Sequence, residues 1–372
     1  MIDLAKRLSA GEVISEIQDL PSSVVFASIP PEENSVILPE AEACNDKQTF
    51  YAMTRLFNEH SGSKVLYQKT AKRWIKHNPP YKPLGTQELD SLYDLPFENQ
   101  PHPIYNGKTI PAFEQIKSSI TSHRGCYGGC NFCAIACHQG RAVQSRSEAS
   151  LIKEAAKQKG TISDVGGPTA NMFGSSCKLG FPSSCKRRSC LFPSICPNLS
   201  YDHSRQVKLL DKMSQLPGIK HVYIASGIRH DLALKDESYI KAITTKYTGG
   251  RLKLAPEHSV PKVLKLMGKP DIGLYEDFCA KFYKYTGEAG LKRQVIPYLI
   301  IGHPGTTLED AIQLRNWLKK NRIKVEQVQE FTPTPMSIST CMYYTGLDFD
   351  SGNPIHIPSP GEVRRQKEMI LK

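Results

Sequence analysis

The alternation of apolar and polar positions divides the chain near residue 116. Beyond that point, short apolar runs alternate with segments whose apolar residues recur every three or four positions, which is the pattern of strands followed by amphipathic helices. The predicted strands are 117–123, 161–165, 220–226, 251–255, 294–301 and 325–332. The predicted helices are 147–159, 203–216, 235–247, 273–287 and 307–321.

Six strands with helices between them predict an α/β fold with a parallel sheet and right-handed crossovers. Ser147, Asp202 and either Thr306 or Thr307 are suitable caps for helix starts. Six units are too few for a closed eight-stranded barrel, so an open barrel and a doubly wound sheet both remain open. In either fold, the loops after the carboxyl ends of the strands form the active face.

The segments on either side of this pattern are less regular. Residues 1–115 contain many prolines towards their end and few periodic segments, so we expect an irregular flanking region. The core is then 116–350, with an insertion at 169–200 between the second strand and its helix. The tail, 351–372, is rich in Pro and Gly and then charged, and we expect it to be loosely held.

Composition narrows the class of protein. Apolar residues make up 40% of the chain and charged residues 23%, which is enough for a packed core. No apolar run approaches the roughly 20 residues of a membrane span, and the start lacks the apolar core of a secretory signal. We therefore predict a cytoplasmic protein without a membrane segment.

The chain has 48 Lys and Arg residues against 36 Asp and Glu residues. This excess favours an anionic partner such as a nucleic acid or a phosphorylated cofactor. The basic residues are scattered, however, so a soluble basic surface without such a partner is an equal alternative.

The eleven cysteines are the strongest chemical signal, and most of them lie between Cys126 and Cys196. Cytosolic proteins rarely keep disulfides, so this clustering indicates metal ligands. Cys44, Cys279 and Cys341 are isolated, and we expect them to act as small buried apolar residues.

The loop after the first predicted strand reads HRGCYGGCNFC, which places Cys126, Cys130 and Cys133 in a C-x3-C-x2-C pattern. Thiolates are the usual ligands of iron–sulfur clusters, and three of them leave one iron of a four-iron cluster open to a reactant. A fourth cysteine, Cys137, follows the motif, so a zinc knuckle is an alternative to this cluster. An ordinary electron-transfer ferredoxin is a second alternative.

Six motifs in chain order resemble the YgiQ family of radical S-adenosylmethionine (SAM) proteins. They are TSHRGCYGGCNFCAIACHQGR, SDVGGPTANM, IASGIRHDLA, LKLAPEH, IIGHPGTT and EFTPTPMS. The resemblance covers nearly the whole chain, which is shorter at both ends than members of that family. We therefore expect a fragment or a split reading frame.

The resemblance implies a partial (β/α)6 barrel and a 4Fe-4S cluster that cleaves SAM with an electron from an external low-potential donor. The implied cluster ligands are Cys126, Cys130 and Cys133. The implied SAM contacts are Gly166, Gly167 and Pro168 after the second strand, Ser226, Gly227 and Arg229 after the third, and Gly302 with His303 and Gly305 after the fifth, together with Phe132. For most of these residues a structural role is the alternative: a plain turn for 166–168, a surface ion pair for Arg229 and ordinary core for Phe132.

Glu257 and His258 follow the fourth strand, where their side chains would face the cavity. Either residue could act as a general acid or base, and a structural hydrogen bond is the equal alternative. These residues do not identify the substrate, and a nucleic acid is one candidate.

A second group of cysteines lies in the insertion, at Cys177, Cys185, Cys190 and Cys196. Four thiolates on the catalytic face could hold an auxiliary iron–sulfur cluster, a structural zinc ion or no metal at all. A basic metalloprotein that binds nucleic acid through zinc-ordered loops is therefore the alternative to an enzyme.

Overall fold

The computed structural model describes residues 2–27, 31–181 and 185–371. The chain separates into two compact units. The first holds the described residues of 1–82, 182–187 and 338–356, and the second holds those of 83–181, 188–337 and 357–372.

The described chain alternates short strands with helices throughout. The strands are β1 (Val24–Ala27), β2 (Val36–Leu38), β3 (Leu66–Thr70), β4 (Arg73–His77), β5 (Ser119–Thr121), β6 (His123–Arg124), β7 (Gln144–Ser145), β8 (Gly160–Ile162), β9 (Asp164–Gly166), β10 (Ser176–Cys177), β11 (Leu199–Ser200), β12 (Ile219–Val222), β13 (Arg251–Glu257), β14 (Gln294–Ile301) and β15 (Gln329–Glu330). Four short 3-10 helices lie in the described residues, at Ile14–Glu16, Glu42–Asn45, Pro103–Tyr105 and Ala170–Met172.

The α-helices are α1 (Ile2–Ser9), α2 (Lys47–His60), α3 (Thr86–Tyr93), α4 (Pro111–Ile116), α5 (Ile135–Gln139), α6 (Glu148–Ala155), α7 (His203–Ser214), α8 (His230–Ala233), α9 (Glu237–Thr245), α10 (Pro261–Met267), α11 (Ile272–Glu288), α12 (Leu308–Lys320), α13 (Ile338–Thr345) and α14 (Pro360–Leu371). In the described ranges, none of them is both long enough and apolar enough to cross a membrane.

The first unit contains a four-stranded sheet in the order β1-β4-β3-β2. β4 runs antiparallel to β1 and β3, whereas β2 runs parallel to β3. Leu66 and Tyr67 are fully buried in this sheet. The expectation of an irregular flanking region is therefore wrong here. The strands are only three to five residues long, so their two-residue period does not stand out from the surrounding prolines and polar residues.

The second unit has the parallel α/β pattern that the sequence predicts. Parallel ladders join β5 to β9, β8 to β12, β13 to β14 and β14 to β15. β8 and β9 together form the second predicted strand. The first three predicted strands therefore lie side by side in chain order, and so do the last three. Within the described part of the chain, no ladder joins β12 to β13 and the sheet does not close into a barrel.

All five predicted helices form, as α6, α7, α9, α11 and α12. Their predicted caps are also present, because Ser147 accepts from the backbone N–H of Ser150 and Asp202 accepts from that of Ser204. At the start of α12, Thr307 and Asp310 cap each other reciprocally. α6 differs most from its prediction, since it ends at Ala155.

The strands of the second unit turn one face towards the helices. Ile120, Val165 and Leu252 are each at most 1% exposed and pack in one core with residues of α6, α7, α9 and α11. Side chains alternate along a strand, so neighbours such as Thr121 and Asp164 point to the opposite side. The sheet is therefore anchored by its apolar face, and its other face carries polar groups.

The expectation of a loosely held tail is wrong, because the chain ends in α14. Ile370 is 6% exposed and belongs to one core with Leu299, Leu314 and Leu318. Gln366 accepts a hydrogen bond from the Gly302 backbone N–H at 2.8 Å. The inward-facing residues of α14 recur at helical spacing in the sequence. The Pro- and Gly-rich stretch just before them outweighs this signal and favours a loose segment.

Leu314 on α12 is fully buried, whereas Ile312 on the same helix is 45% exposed. We expect Leu314→Ala to lower the free energy of unfolding by about 3 kcal/mol, because it leaves a cavity against β14. The matched change Ile312→Ala should cost no more than about 0.5 kcal/mol. Urea unfolding followed by circular dichroism measures both, and equal losses would contradict this packing of α12.

Candidate functional site

The loop with the C-x3-C-x2-C motif leaves β6 at the carboxyl end of the first strand region and leads into α5. Its backbone is held at three points. The Cys126 N–H donates to Gly140 O at 3.1 Å, the Cys133 N–H donates to Cys130 O at 3.1 Å, and the Asn131 N–H donates to Met267 O at 2.9 Å. The last bond ties the loop to the end of α10.

Two thiols of this loop, those of Cys126 and Cys130, lie beside Gly128. A Cβ atom on Gly128 would lie 3.3 Å from Cys126 Sγ and 3.9 Å from Cys130 Sγ. Two backbone N–H groups point at sulfur atoms: Gly128 N lies 3.4 Å from Cys126 Sγ, and Ile135 N lies 3.5 Å from Cys133 Sγ. Such donors favour the thiolate form.

Burial opposes ionisation of these thiols. It raises the pKa of Cys126 above its ordinary value and raises the pKa of Cys133 to about 11. Negative charge on Cys130 raises both pKa values further, so the three sulfurs lie close enough to repel one another when ionised. A bound cation would remove this penalty, because metal ligation requires the thiolate.

The arrangement does not suit a single metal ion. Among the described residues, no group of three or more His, Cys, Asp or Glu side chains is placed to hold one ion. Zinc at about 2.3 Å from each sulfur would need its sulfurs within roughly 4 Å of one another. Cys137, the fourth ligand of the zinc alternative, is exposed and lies 3.7 Å from Met336 O. The zinc knuckle therefore has no support in this loop.

Arg229 lies beside the motif, but its guanidinium is already paired with a carboxylate. Its Nε and Nη2 atoms donate to the two carboxylate oxygens of Asp231, at 2.9 and 2.5 Å. Its Nη1 atom is 3.8 Å from Cys130 Sγ. Arg229 is 6% exposed, so the alternative of a surface ion pair is wrong and the pair is buried. Its two-pronged face is already occupied by Asp231, which leaves Nη1 to face the thiols.

The glycines after the second strand are required by close packing. A Cβ atom on Gly166 would lie 1.9 Å from Ser226 Oγ, and one on Gly167 would lie 2.7 Å from His123 Cε1. The structure therefore brings together Gly166, Gly167, Ser226 and His123. His123 is fully buried, and its Nε2 atom has no hydrogen-bond partner among the described residues.

A cavity of about 340 Å³ opens beside these glycines. Its walls come from β5, β6, α5 and the segment that begins at β9. The lining residues are Ser119, Ile120, Thr121, His123, Arg124, Ile135, Gln139, Asp164, Gly166, Gly167 and Pro168. Asp164 uses one carboxylate oxygen to accept from the Ala225 N–H and the Ser226 N–H. The volume is in the range of small-molecule sites.

Glu257 ends β13 in a left-handed backbone conformation, with φ +69°. Non-glycine residues rarely adopt this conformation, and it is concentrated at functional sites. The Glu257 carboxyl is buried, which raises its pKa, and one of its oxygens lies 3.8 Å from Lys269 Nζ. His258 differs, because its Nδ1 atom accepts from the Val260 N–H at 3.1 Å, which is the structural hydrogen bond named as the alternative.

The residues after the fifth strand pack against α14 and the cysteine loop. Gly302 has φ +68°, and a Cβ atom on it would lie 2.8 Å from Val363 of α14. Gly227 after the third strand is also left-handed, with φ +81°. The rings of Phe132 and His303 meet edge to face, 6.5 Å between centroids. Phe132 also packs on an apolar cluster of α10, so its core role is present.

The second cysteine group is divided between the two units. Cys185 is exposed and belongs to the first unit. In the second unit, the Cys196 N–H donates to Cys190 O at 2.7 Å, and Cys177 pairs with Leu199 between β10 and β11.

The part of the insertion in the second unit packs directly on the cysteine loop. Ser189 Oγ donates to Gly128 O at 2.6 Å, and the Cys190 N–H donates to Tyr127 O at 3.0 Å. A Cβ atom on Gly129 would lie 2.4 Å from Arg188 O. The insertion therefore shields this side of the loop from water.

Sequence reasoning missed Asp231, Lys269, Asn131, His123 and Asp164. Asp231 and His123 lie inside motifs already recognised, so charged or polar residues next to the named ones were the available signal. Asn131 and Asp164 also lie inside such motifs. Lys269 lies outside all six, and it is tied to the loop through contacts between segments more than 130 residues apart.

Two family models match the ends of the chain, and curated relatives match nearly all of it. Residues 1–119 match the family model described as Radical SAM N-terminal, and residues 326–369 match a domain of unknown function, DUF3362. The chain is 42% identical over 384 residues to a UPF0313 protein of Methanocella arvoryzae, covering 100% of this chain and 64% of that protein. It is 43% identical over 361 residues to the UPF0313 protein YgiQ of Escherichia coli, covering 92% of this chain and 49% of that protein.

A solved structure with some similarity is that of TsrM from Kitasatospora setae, a radical SAM methyltransferase with cobalamin and a [4Fe-4S] cluster bound. The identity is 17% and the TM-score 0.39, covering 67% of this chain and 46% of that one.

The family match and the relatives define a protein of the radical SAM superfamily. Within that superfamily, the chain belongs to the UPF0313 family, which includes YgiQ. The resemblance predicted from the six motifs is thereby confirmed. The chain spans between about half and two thirds of the length of these relatives.

Buried imidazoles make stability depend on pH. Burial lowers the pKa of His123, His258 and His303 to about 4, below the ordinary value near 6.5. The unfolded chain therefore binds protons that the folded chain does not, and stability falls as pH falls from about 6.5 to about 4. Each imidazole contributes about 1.4 kcal/mol per pH unit in that window.

Urea unfolding between pH 6.5 and 5 measures this slope. We expect His258→Asn to reduce it by about 1.4 kcal/mol per pH unit, one imidazole's share. An unchanged slope in the variant would contradict a neutral, buried His258.

Proposed function

We propose that this chain is a radical SAM enzyme, in which Cys126, Cys130 and Cys133 hold a 4Fe-4S cluster at the mouth of a partial (β/α)6 barrel. The observation that carries the proposal is that three thiols of one loop lie near one another: Cys126 and Cys130 both border Gly128, and the charges of both act on Cys133. Membership of the radical SAM superfamily and the parallel order of the strands both support it.

The surroundings fit a thiolate-ligated cluster. Backbone N–H groups at Gly128 and Ile135 point at two sulfurs, and Arg229 Nη1 faces the third. When bound, the cluster would supply the chemistry of the superfamily: reductive cleavage of SAM to methionine and a 5′-deoxyadenosyl radical, with one electron from an external low-potential donor. The insertion at Arg188 and Ser189 would exclude water from this side.

The strand ends would hold SAM. Gly166, Gly167 and Pro168 line the cavity, where their backbone would contact the ligand. Ser226 and Gly227 lie next to them. Gly302 and Phe132 are the proposed contacts of the adenine, with His303 and Gly305 nearby in sequence.

We assign Arg229 a different role from a two-pronged grip on the SAM carboxylate. Asp231 occupies the face of the guanidinium that such a grip needs. Arg229 would instead stabilise the thiolate of Cys130 through Nη1, while Asp231 holds the guanidinium in place.

Glu257 is the better candidate for acid–base work than His258. Burial raises the pKa of Glu257, which favours a carboxyl that still carries its proton and can donate it. His258 already accepts a backbone hydrogen bond and is assigned a supporting role. The substrate remains open, and a nucleic acid is a prediction from net charge alone.

A reducing compartment suits this chemistry. All the cysteines of the chain are free thiols, and a cluster with an open iron requires them reduced. We therefore propose a cytoplasmic location.

We expect Cys130→Ala to abolish binding of a 4Fe-4S cluster that has one open iron. The variant keeps two thiolate ligands, and the cluster needs three. After anaerobic reconstitution, the wild type should show the absorption and electron paramagnetic resonance (EPR) signals of a 4Fe-4S cluster and form 5′-deoxyadenosine with dithionite and SAM. The variant should form at least about a hundredfold less, since removal of a group required for the chemistry costs several factors of ten.

Cys137→Ala is the matched control, because Cys137 lies in the same segment but is exposed and contacts Met336 O. It should retain both signals. Undiminished 5′-deoxyadenosine from Cys130→Ala would refute the assignment of the three ligands.

A second metal centre in the insertion is also proposed, with Cys177, Cys190 and Cys196, which all belong to the second unit, as ligands. The close backbone contacts of Cys190, Cys196 and the β10–β11 pair support it. Arg141 Nη2 lies 4.0 Å from Cys190 Sγ, which favours an anionic group there. An iron–sulfur cluster is preferred to zinc, because the spacing of the insertion's cysteines, x7, x4 and x5, matches no paired C-x2-C zinc unit.

Iron and sulfide counting tests the second centre. Reconstituted wild type should hold about eight irons, and the triple variant Cys177→Ser, Cys190→Ser, Cys196→Ser about four, the content of one cluster. Changing Cys44, Cys279 and Cys341 to Ser is the control and should leave the count unchanged. About four irons in the wild type, or zinc in place of iron, would contradict an auxiliary cluster.

A further inference from the structure

Lys269 is a buried lysine next to the cysteine loop, and neither the motifs nor the proposed chemistry uses it. Its side chain is 4% exposed. Its Nζ atom donates to Ala255 O at 2.5 Å and lies 3.8 Å from Glu257 Oε1. Burying an ammonium group is costly unless negative charge compensates it, so the surroundings must supply that charge.

Lys269 is fixed relative to the loop by the end of α10. Asn131, inside the loop, donates from its backbone N–H to Met267 O and from its side chain to Leu266 O, each at 2.9 Å. Gly268 then turns the chain with φ +67°, and a Cβ atom on it would lie 3.5 Å from Asn131 Cγ. The lysine is thus held by the same contacts that hold the metal-binding loop.

The two buried cations near the thiols differ in how far they are neutralised. Arg229 has a carboxylate at 2.5 and 2.9 Å, whereas the carboxyl oxygen that faces Lys269 is 3.8 Å away. That carboxyl belongs to Glu257, and burial raises its pKa, which favours its neutral form. A neighbouring carboxylate therefore offsets less of the positive charge of Lys269 than of Arg229.

Lys269 lies next to the cysteine loop. A Cβ atom on Gly268, the residue before it, would lie 3.5 Å from Gly129 O, so the positive charge of Lys269 is held beside the segment that carries the three thiols. The same positive charge would favour any further negative charge that arrives at the three sulfurs.

We infer that Lys269 is a positioning residue whose fixed positive charge makes the cluster at Cys126, Cys130 and Cys133 easier to reduce; this rests on the function proposed above. One electron arrives from the external low-potential donor, and the negative charge beside Lys269 rises by one. No bond forms or breaks at Lys269 and no proton moves. Its ammonium group stabilises the added charge from where the Ala255 carbonyl and the α10 turn hold it.

An EPR-monitored redox titration of the full chain, reconstituted anaerobically and without SAM, tests this inference. Lys269→Met should shift the midpoint potential to a more negative value, with the reduction equilibrium about tenfold less favourable, or about 59 mV for one electron. Lys269→Arg should keep the wild-type potential. Lys265→Met removes one charge from an exposed position on α10, the helix that precedes Lys269, and should also leave the potential unchanged.

A wild-type potential in an iron-loaded Lys269→Met would overturn the inference. If Lys269→Met loses its iron while Lys269→Arg retains it, the need for a cation beside the thiolates is supported by the iron count instead. Loss of iron from both variants would indicate a packing role and overturn it. If the wild type itself takes up no iron, the failure belongs to the proposed cluster and not to Lys269.

Discussion

Three thiols buried side by side cannot all ionise unless something offsets their mutual repulsion and their loss of water. Burial raises the pKa of Cys126 and Cys133, and the charge of Cys130 raises both pKa values further. Under the proposed function, a bound metal cluster would offset this cost together with the backbone N–H donors and two buried cations of the protein. The remainder of the second unit can be understood as the scaffold that keeps these donors and cations in place.

The scaffold works by linking distant segments to one loop. Asn131 ties the loop to α10, and Ser189 ties it to the insertion, so the loop is held on two sides. Asp231 holds the guanidinium of Arg229, and the turn after α10 holds Lys269. At the far strand end, Gln366 of α14 accepts from the Gly302 N–H, so the last helix of the described chain reaches the proposed adenine site.

The sequence predicts well those features whose cause is local. β13 and β14 are long apolar runs, the caps of α7 and α12 lie next to their helices, and the C-x3-C-x2-C spacing predicts three cluster ligands. It predicts poorly the features that depend on distant partners. The sheet β1-β4-β3-β2 consists of strands too short to show a period, and α14 follows a Pro- and Gly-rich stretch.

The role of Arg229 shows the same limit within the site. Its place after the third strand is readable from sequence, but the pairing of its guanidinium with Asp231 depends on the turn into α8. The role of Lys269 is harder still to predict, because its own segment contains no metal-binding motif.

The claim on which all of this depends is that the three thiolates leave one iron open for SAM. Electron–nuclear double resonance on the reduced, reconstituted chain, with SAM labelled with ¹⁵N in its amino group and ¹⁷O in its carboxylate, tests it directly. We predict hyperfine coupling of both labels to the cluster. A cluster signal that shows no coupling to either label, at saturating SAM, would contradict the claim.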